Sequence, residues 1–95
     1  MIWETKAEIK NKEDGKILSR LEANVGPLKI IIANDHYYFL GQWVLTCKEV
    51  GIPACFLKAD ILKEAKKEAL WIVYRESIKF EESFQEIKEE YITTN

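Results

Sequence analysis

The only histidine of this 95-residue chain, His36, directly follows Asn34 and Asp35, and the triplet closes a solid apolar block made of Leu28, Ile30, Ile31, Ile32 and Ala33. An aspartate beside an imidazole can orient it for general-base work, and the carboxyl end of an apolar strand is where α/β sheets collect ligands. The plainer role gives Asn34 to a turn, Asp35 to a helix cap and His36 to solvent. No nucleophile joins the triplet: Thr5, Ser19, Thr46, Ser77 and Ser83 lack the elbow that activates a serine. One histidine and two cysteines, Cys47 and Cys55, without CxxC spacing, offer no expected metal site. The glycines at 15, 26, 41 and 51 are scattered, so no phosphate-cradling loop and no cofactor is expected.

Two other groups of residues are suited to recognition rather than catalysis. Tyr37-Tyr38-Phe39 with Trp43 is the densest aromatic cluster, and a helix there cannot turn all four rings inward, which marks Tyr38 and Phe39 as exposed interface anchors. Glu82, Glu86 and Glu90 stand at i, i+4 and i+8 and form an acidic stripe suited to a basic protein. Between Glu76 and Tyr91 six glutamates face two lysines, a field that repels nucleic acid.

These groups need elements to hold them. Trp3 to Lys10 alternates apolar or small residues with charged ones, the period of a half-buried strand, and Asp14-Gly15 favours a hairpin return through Lys16 to Val25. The inward set of that return is Ile17, Ser19, Leu21, Ala23 and Val25. Gly26-Pro27 breaks the chain before a third strand, Leu28 to Ala33. Two readings compete for the next segment. Asn34-Asp35 can be a hairpin turn into a strand His36 to Leu40, or Asp35 can cap a helix from His36 to Val50 that Gly51 ends; the sequence favours the helix, with Tyr37, Leu40, Val44 and Cys47 on one face. A strand over Ala54 to Lys58, a short helix over Ala59 to Ala69, a strand over Leu70 to Tyr74 and a last helix carrying Phe80, Phe84, Ile87 and Tyr91 complete the reading. Ser83 and Glu86 fit a capping box for that last helix.

The expected fold is therefore α+β, one domain over residues 1–95, in which an N-terminal β-hairpin feeds a βαβ-like half. A mixed sheet of about five strands carries two or three covering helices, in the order βββαβαβα. The 47% hydrophobic and 32% charged composition is that of an ordered globular chain with a net charge of −2. With no secretory signal and no apolar run of membrane-spanning length, the expected location is cytoplasmic and no membrane partner is expected. A homodimer through a free edge of the hairpin is one further arrangement.

The stretch Lys29 to Glu76, with Lys29-Ile30-Ile31-Ile32-Ala33-Asn34-Asp35 and then Cys47-Lys48-Glu49-Val50-Gly51-Ile52-Pro53, loosely resembles the second half of the L7Ae-type RNA-binding ribosomal proteins. That resemblance implies RNA binding and a strand-helix-strand arrangement; none of that family's contact residues has a counterpart to carry over. The leading functional expectation is a small non-enzymatic protein-binding module, of the inhibitor, immunity-type or phage-encoded regulatory kind. It would hold a basic protein through Glu82, Glu86, Glu90, Tyr38 and Phe39. A small-molecule or nucleotide binder, or an enzyme, at Asn34, Asp35 and His36 comes second, and RNA binding last.

Overall fold

The computed structural model describes residues 1–10, 12, 15–36 and 40–94. Five strands, β1 (Trp3–Lys10), β2 (Ile17–Val25), β3 (Leu28–Ala33), β4 (Val44–Cys47) and β5 (Ile52–Phe56), form one sheet in the order β1-β2-β3-β4-β5. Each pairs antiparallel with the next. A single turn of 3₁₀ helix, Lys48–Val50, joins β4 to β5, and one helix of 33 residues, α1 (Leu62–Thr94), follows the sheet.

The amino-terminal hairpin and the third strand stand where their residue patterns place them. Gly26 takes φ +57° at the first central position of the β2–β3 turn, ahead of Pro27, whose ring holds φ negative. That combination matches the right-handed twist of the strands it joins. Within β1 the perfect alternation is interrupted by a bulge between Thr5 and Ala7. Trp3 and Thr5 oppose Ala23 and Leu21 on the covered face, but after the bulge Ala7 and Ile9 oppose Arg20 and Leu18 on the other face. One extra residue reverses every later side chain.

The mixed, helix-punctuated architecture expected from the sequence is corrected in two places. The described part of the helix expected over His36 to Val50 is not that helix: Val44–Cys47 is a strand whose Val44, Leu45 and Thr46 pair with Ala33, Ile32 and Ile31. The strand satisfies the free edge of β3 by an antiparallel return, which a helix at this place would have left open. Gly51 does act as a left-handed stop, with φ +78° and its N–H donating to the Lys48 carbonyl at 3.0 Å, but it ends one 3₁₀ turn rather than a long helix. The strand-helix-strand arrangement implied by the ribosomal-protein resemblance fails at the same place. The second correction is Leu70 to Tyr74, which is helical. No glycine or proline follows Pro53, so nothing allows the chain to turn into and out of a strand there. Burial recurs instead at helical spacing, with Ala65, Ala69 and Val73 against the sheet and Trp71 and Tyr74 in solvent. The two expected helices are the two ends of one. Ser83, expected to cap the second, lies mid-helix and donates its hydroxyl to the Lys79 carbonyl at 3.1 Å.

One face of the sheet and the first half of α1 enclose the core. Leu21, Ile30, Ile32, Leu45, Cys47 and Ile52 from the strands meet Ala65, Ala69 and Val73 from the helix. Each fully buried Ile or Leu contributes roughly 1.5–3 kcal/mol. Ala65 and Ala69 let the helix axis approach closely. Glu68 pins the entry to the helix, its carboxylate accepting the backbone N–H of Lys58 (2.8 and 2.9 Å) and of Ala59 (2.9 Å). In the same first turns of the helix, the Lys66 ammonium sits 5.9 Å from the centre of the Trp3 ring and ties β1 to α1.

Beyond Ile78 the helix leaves the sheet, and every side chain from Lys79 to Thr93 is exposed. The molecule is accordingly elongated, 64 × 21 × 20 Å, with a radius of gyration of 16.7 Å. A compact chain of this length would give roughly 12 Å. Among the described residues no helix is long and apolar enough to cross a membrane.

Candidate functional site

Asn34, Asp35 and His36 come at the end of β3, as the sequence implies, but they divide into two roles. Asn34 is buried and its amide imitates a strand residue: its Oδ1 accepts the Ser19 N–H at 2.6 Å and its Nδ2 donates to the Ile17 carbonyl at 3.2 Å. Its own N–H donates to the Ser19 carbonyl at 3.1 Å, and its carbonyl accepts from Gly41 at 2.9 Å. Every polar group of Asn34 is therefore spent on holding β2 to β3 and on closing the connection to β4. Asp35 and His36 instead border a groove of about 430 Å³ on the sheet face that α1 leaves open. Ile31, Ala33 and Val44 floor it, and Arg20, Thr46 and Lys48 complete its walls. Arg20 Nη2 approaches Asp35 Oδ1 at 3.5 Å, and Thr46 donates its hydroxyl to the Pro53 carbonyl at 3.1 Å. The groove has two cations, Arg20 and Lys48, and one carboxylate, Asp35, in its walls over an apolar floor, and among the described residues no serine or cysteine borders it.

The exposed half of α1 is the second surface. Phe80, Phe84, Ile87 and Tyr91 are 39, 63, 63 and 71% exposed. At 100° per residue these four share a sector of about 60° with Val73, so the exposed stripe continues the line of the face that packs on the sheet. The sequence shows the stripe, and its periodicity ordinarily means burial; here Phe84, Ile87 and Tyr91 are largely exposed, while Phe80, nearest the sheet, borders a recess with Val50. Phe80 and Phe84 contact each other, with ring centroids 6.3 Å apart.

Glu82, Glu86 and Glu89 stand on the opposite side of the helix, with Glu81 and Gln85 at its margin, and together with Ile78 they shape one shallow acidic surface. Glu90 flanks the apolar stripe. Among the described residues Glu82 and Glu86 belong to no ion pair, whereas Glu76 is held by Lys79 at 3.2 Å and by Arg75 at 3.8 Å. Two basic residues of the same helix are engaged near its start: Lys67 meets Glu64 at 3.9 Å and Lys66 lies over Trp3.

Comparison of the chain with protein-family models, with curated proteins and with solved structures finds no match. Tyr38 and Phe39, the aromatic anchors expected from the sequence, lie outside the described residues. The exposed aromatics that are described sit on α1: Trp71 and Tyr74, with ring centroids 6.1 Å apart, then Phe80, Phe84 and Tyr91. The signal for Phe80, Phe84 and Tyr91 was already present, in the i, i+4, i+7, i+11 spacing they share with Ile87; Trp71 and Tyr74 fell in the segment expected to be a buried strand. Among the described residues no group of three or more His, Cys, Asp or Glu side chains is arranged to hold a metal ion.

Proposed function

We propose that this chain is a small, non-enzymatic protein-binding module, and that the exposed half of α1 is its binding element. The observation that carries the reading is a helix of fifteen residues, Lys79 to Thr93, standing clear of the sheet with an apolar stripe on one side and an acidic surface on the other. Helices that bind proteins present apolar anchors at this spacing. A run of carboxylates steers a partner of opposite sign. Glu82, Glu86 and Glu90 are the groups that meet a basic protein. The cytoplasm is the proposed location, supported by two free thiols, Cys47 and Cys55, of the kind a reducing compartment preserves.

The test is retention of a basic protein from lysate of the source organism on the immobilised full chain, washed at low and high salt. The wild type retains a stoichiometric basic partner that high salt removes. The triple variant Glu82→Lys, Glu86→Lys, Glu90→Lys retains none. Equal capture by wild type and variant would overturn the role of the carboxylates.

A second reading, a small-molecule site, is supported by the groove that joins Asp35 and His36 to Arg20 and Lys48. An anionic ligand that raises the melting temperature of the wild type, and not of Arg20→Ala, would favour it.

A further inference from the structure

Resting on the reading of α1 as the binding element, we propose that the apolar stripe is covered by the same stripe of a second copy of this chain, the two helices running antiparallel. Leu70, Val73, Ser77, Phe80, Phe84, Ile87 and Tyr91 follow one another at alternating intervals of three and four, the seam of a helix that packs on another helix. Leu70 and Val73 fill the first part of that seam against their own sheet. The exposed part continues on the same side of the helix.

Two features choose the partner and its direction. The first is steric. A parallel helix following the seam would run into the sheet that already covers residues 62–78, whereas an antiparallel helix from a second copy overlaps only the exposed segment. The second is charge. Antiparallel pairing centred between Gln85 and Glu86 sets Phe84 opposite Ile87 of the second copy and Phe80 opposite Tyr91, and both layers recur by two-fold symmetry. The same centring places Glu81 of each helix beside Lys88 of the other, two opposite-charge pairs flanking the stripe. A parallel arrangement would set Glu81 beside Glu76, like against like. The free half-helix is thus complementary to itself in one direction only. Glu82, Glu86 and Glu89 remain on the outer surface of the pair, so the dimer presents two acidic faces.

The aligned edges of the sheet do not supply an equivalent contact. β1 bears Glu4, Lys6, Glu8 and Lys10 and a bulge, and β5 carries Pro53, devices that block strand addition.

The experiment is the mass of the purified full chain in solution, by light scattering and sedimentation, with three sets of variants. The wild type is expected at twice the 11.1 kDa of one chain. Phe84→Lys, at an exposed position, is expected to be a monomer with an unchanged thermal transition in its sheet. Glu81→Lys or Lys88→Glu alone is expected to raise the dimer dissociation constant at least about fivefold, because symmetry counts each reversal twice. The double variant Glu81→Lys/Lys88→Glu is expected to restore it. A wild type that remains monomeric at several hundred micromolar overturns the proposal. So does a Glu81→Lys chain that dimerises more tightly, the result parallel pairing would give, or a double variant that fails to recover. A monomer that still retains a basic protein through Glu82 and Glu86 would overturn the dimer and leave the protein-binding reading standing. A dimer that retains none would do the reverse.

Discussion

At the scale of single residues, polar side chains act here as substitutes for missing backbone. Asn34 completes the β2–β3 ladder with its amide, Glu68 accepts two N–H groups of the loop before α1, and Glu49 accepts the Lys29 N–H at 2.8 Å. That last bond holds the Glu49 carboxyl below its ordinary range. Cys47 shows the opposite effect. It is fully buried among Ile32, Leu45 and Val50, and burial pushes its thiol above the ordinary value, with the nearby Glu49 carboxylate acting in the same direction. A raised value in the fold means that the neutral thiol is favoured there. Stability from this source is complete below the thiol's unfolded value and is lost as pH rises above it. Urea denaturation at pH 8 and pH 10 is expected to show a loss at the higher pH that is smaller in Cys47→Ala. A thiol reagent is expected to label the half-buried Cys55 in the native protein and Cys47 only after unfolding.

At the scale of elements, the contest was between local preference and the geometry of the partner. Leu70-Trp71-Ile72-Val73-Tyr74 has the composition of a strand, yet it forms the middle of α1 because Ala65, Ala69 and Val73 align on one face and the sheet buries that face. Strand preference measures fit to a pleated, half-buried surface, and this segment meets no such surface. The two alanines set the separation of helix and sheet. Ala69→Leu is expected to destabilise the protein by about 1–3 kcal/mol through overpacking, seen as a lower denaturation midpoint with an unchanged slope. Val44–Cys47 reversed the other way: Val44 and Cys47 share a face with Tyr37 and Leu40 on a helical wheel, but the open edge of β3 recruits the segment as a strand.

At the scale of the whole molecule, the chain is a small sandwich of sheet and helix with a projecting arm. Its core ends where the sheet ends, and the arm carries the exposed apolar stripe from Phe80 to Tyr91. A monomeric variant such as Phe84→Lys is expected to keep this elongation. X-ray scattering should give a radius of gyration close to the 16.7 Å of the fold, and a value near 12 Å would mean that the arm folds back.

The sequence alone determined the strands Trp3 to Lys10 and Leu28 to Ala33, a second strand read over Lys16 to Val25 and formed over Ile17–Val25, the turns at Gly26 and Gly51, and the stripe from Phe80 to Tyr91, because period, glycine placement and apolar runs are local properties. It also drew Asn34, Asp35 and His36 to the end of the third strand, although it could not separate a ladder-forming amide from residues that line a groove. Tertiary structure decided the bulge that turned Ala7 and Ile9 outward, the strand at Val44 to Cys47 and the single helix from Leu62 to Thr94. Each depends on what a residue faces across the sheet, and no periodicity within a segment records that. The same reason separates the stripe from its burial: spacing shows that four apolar side chains share one side of a helix, and only the packed molecule shows that its own sheet stops short of them.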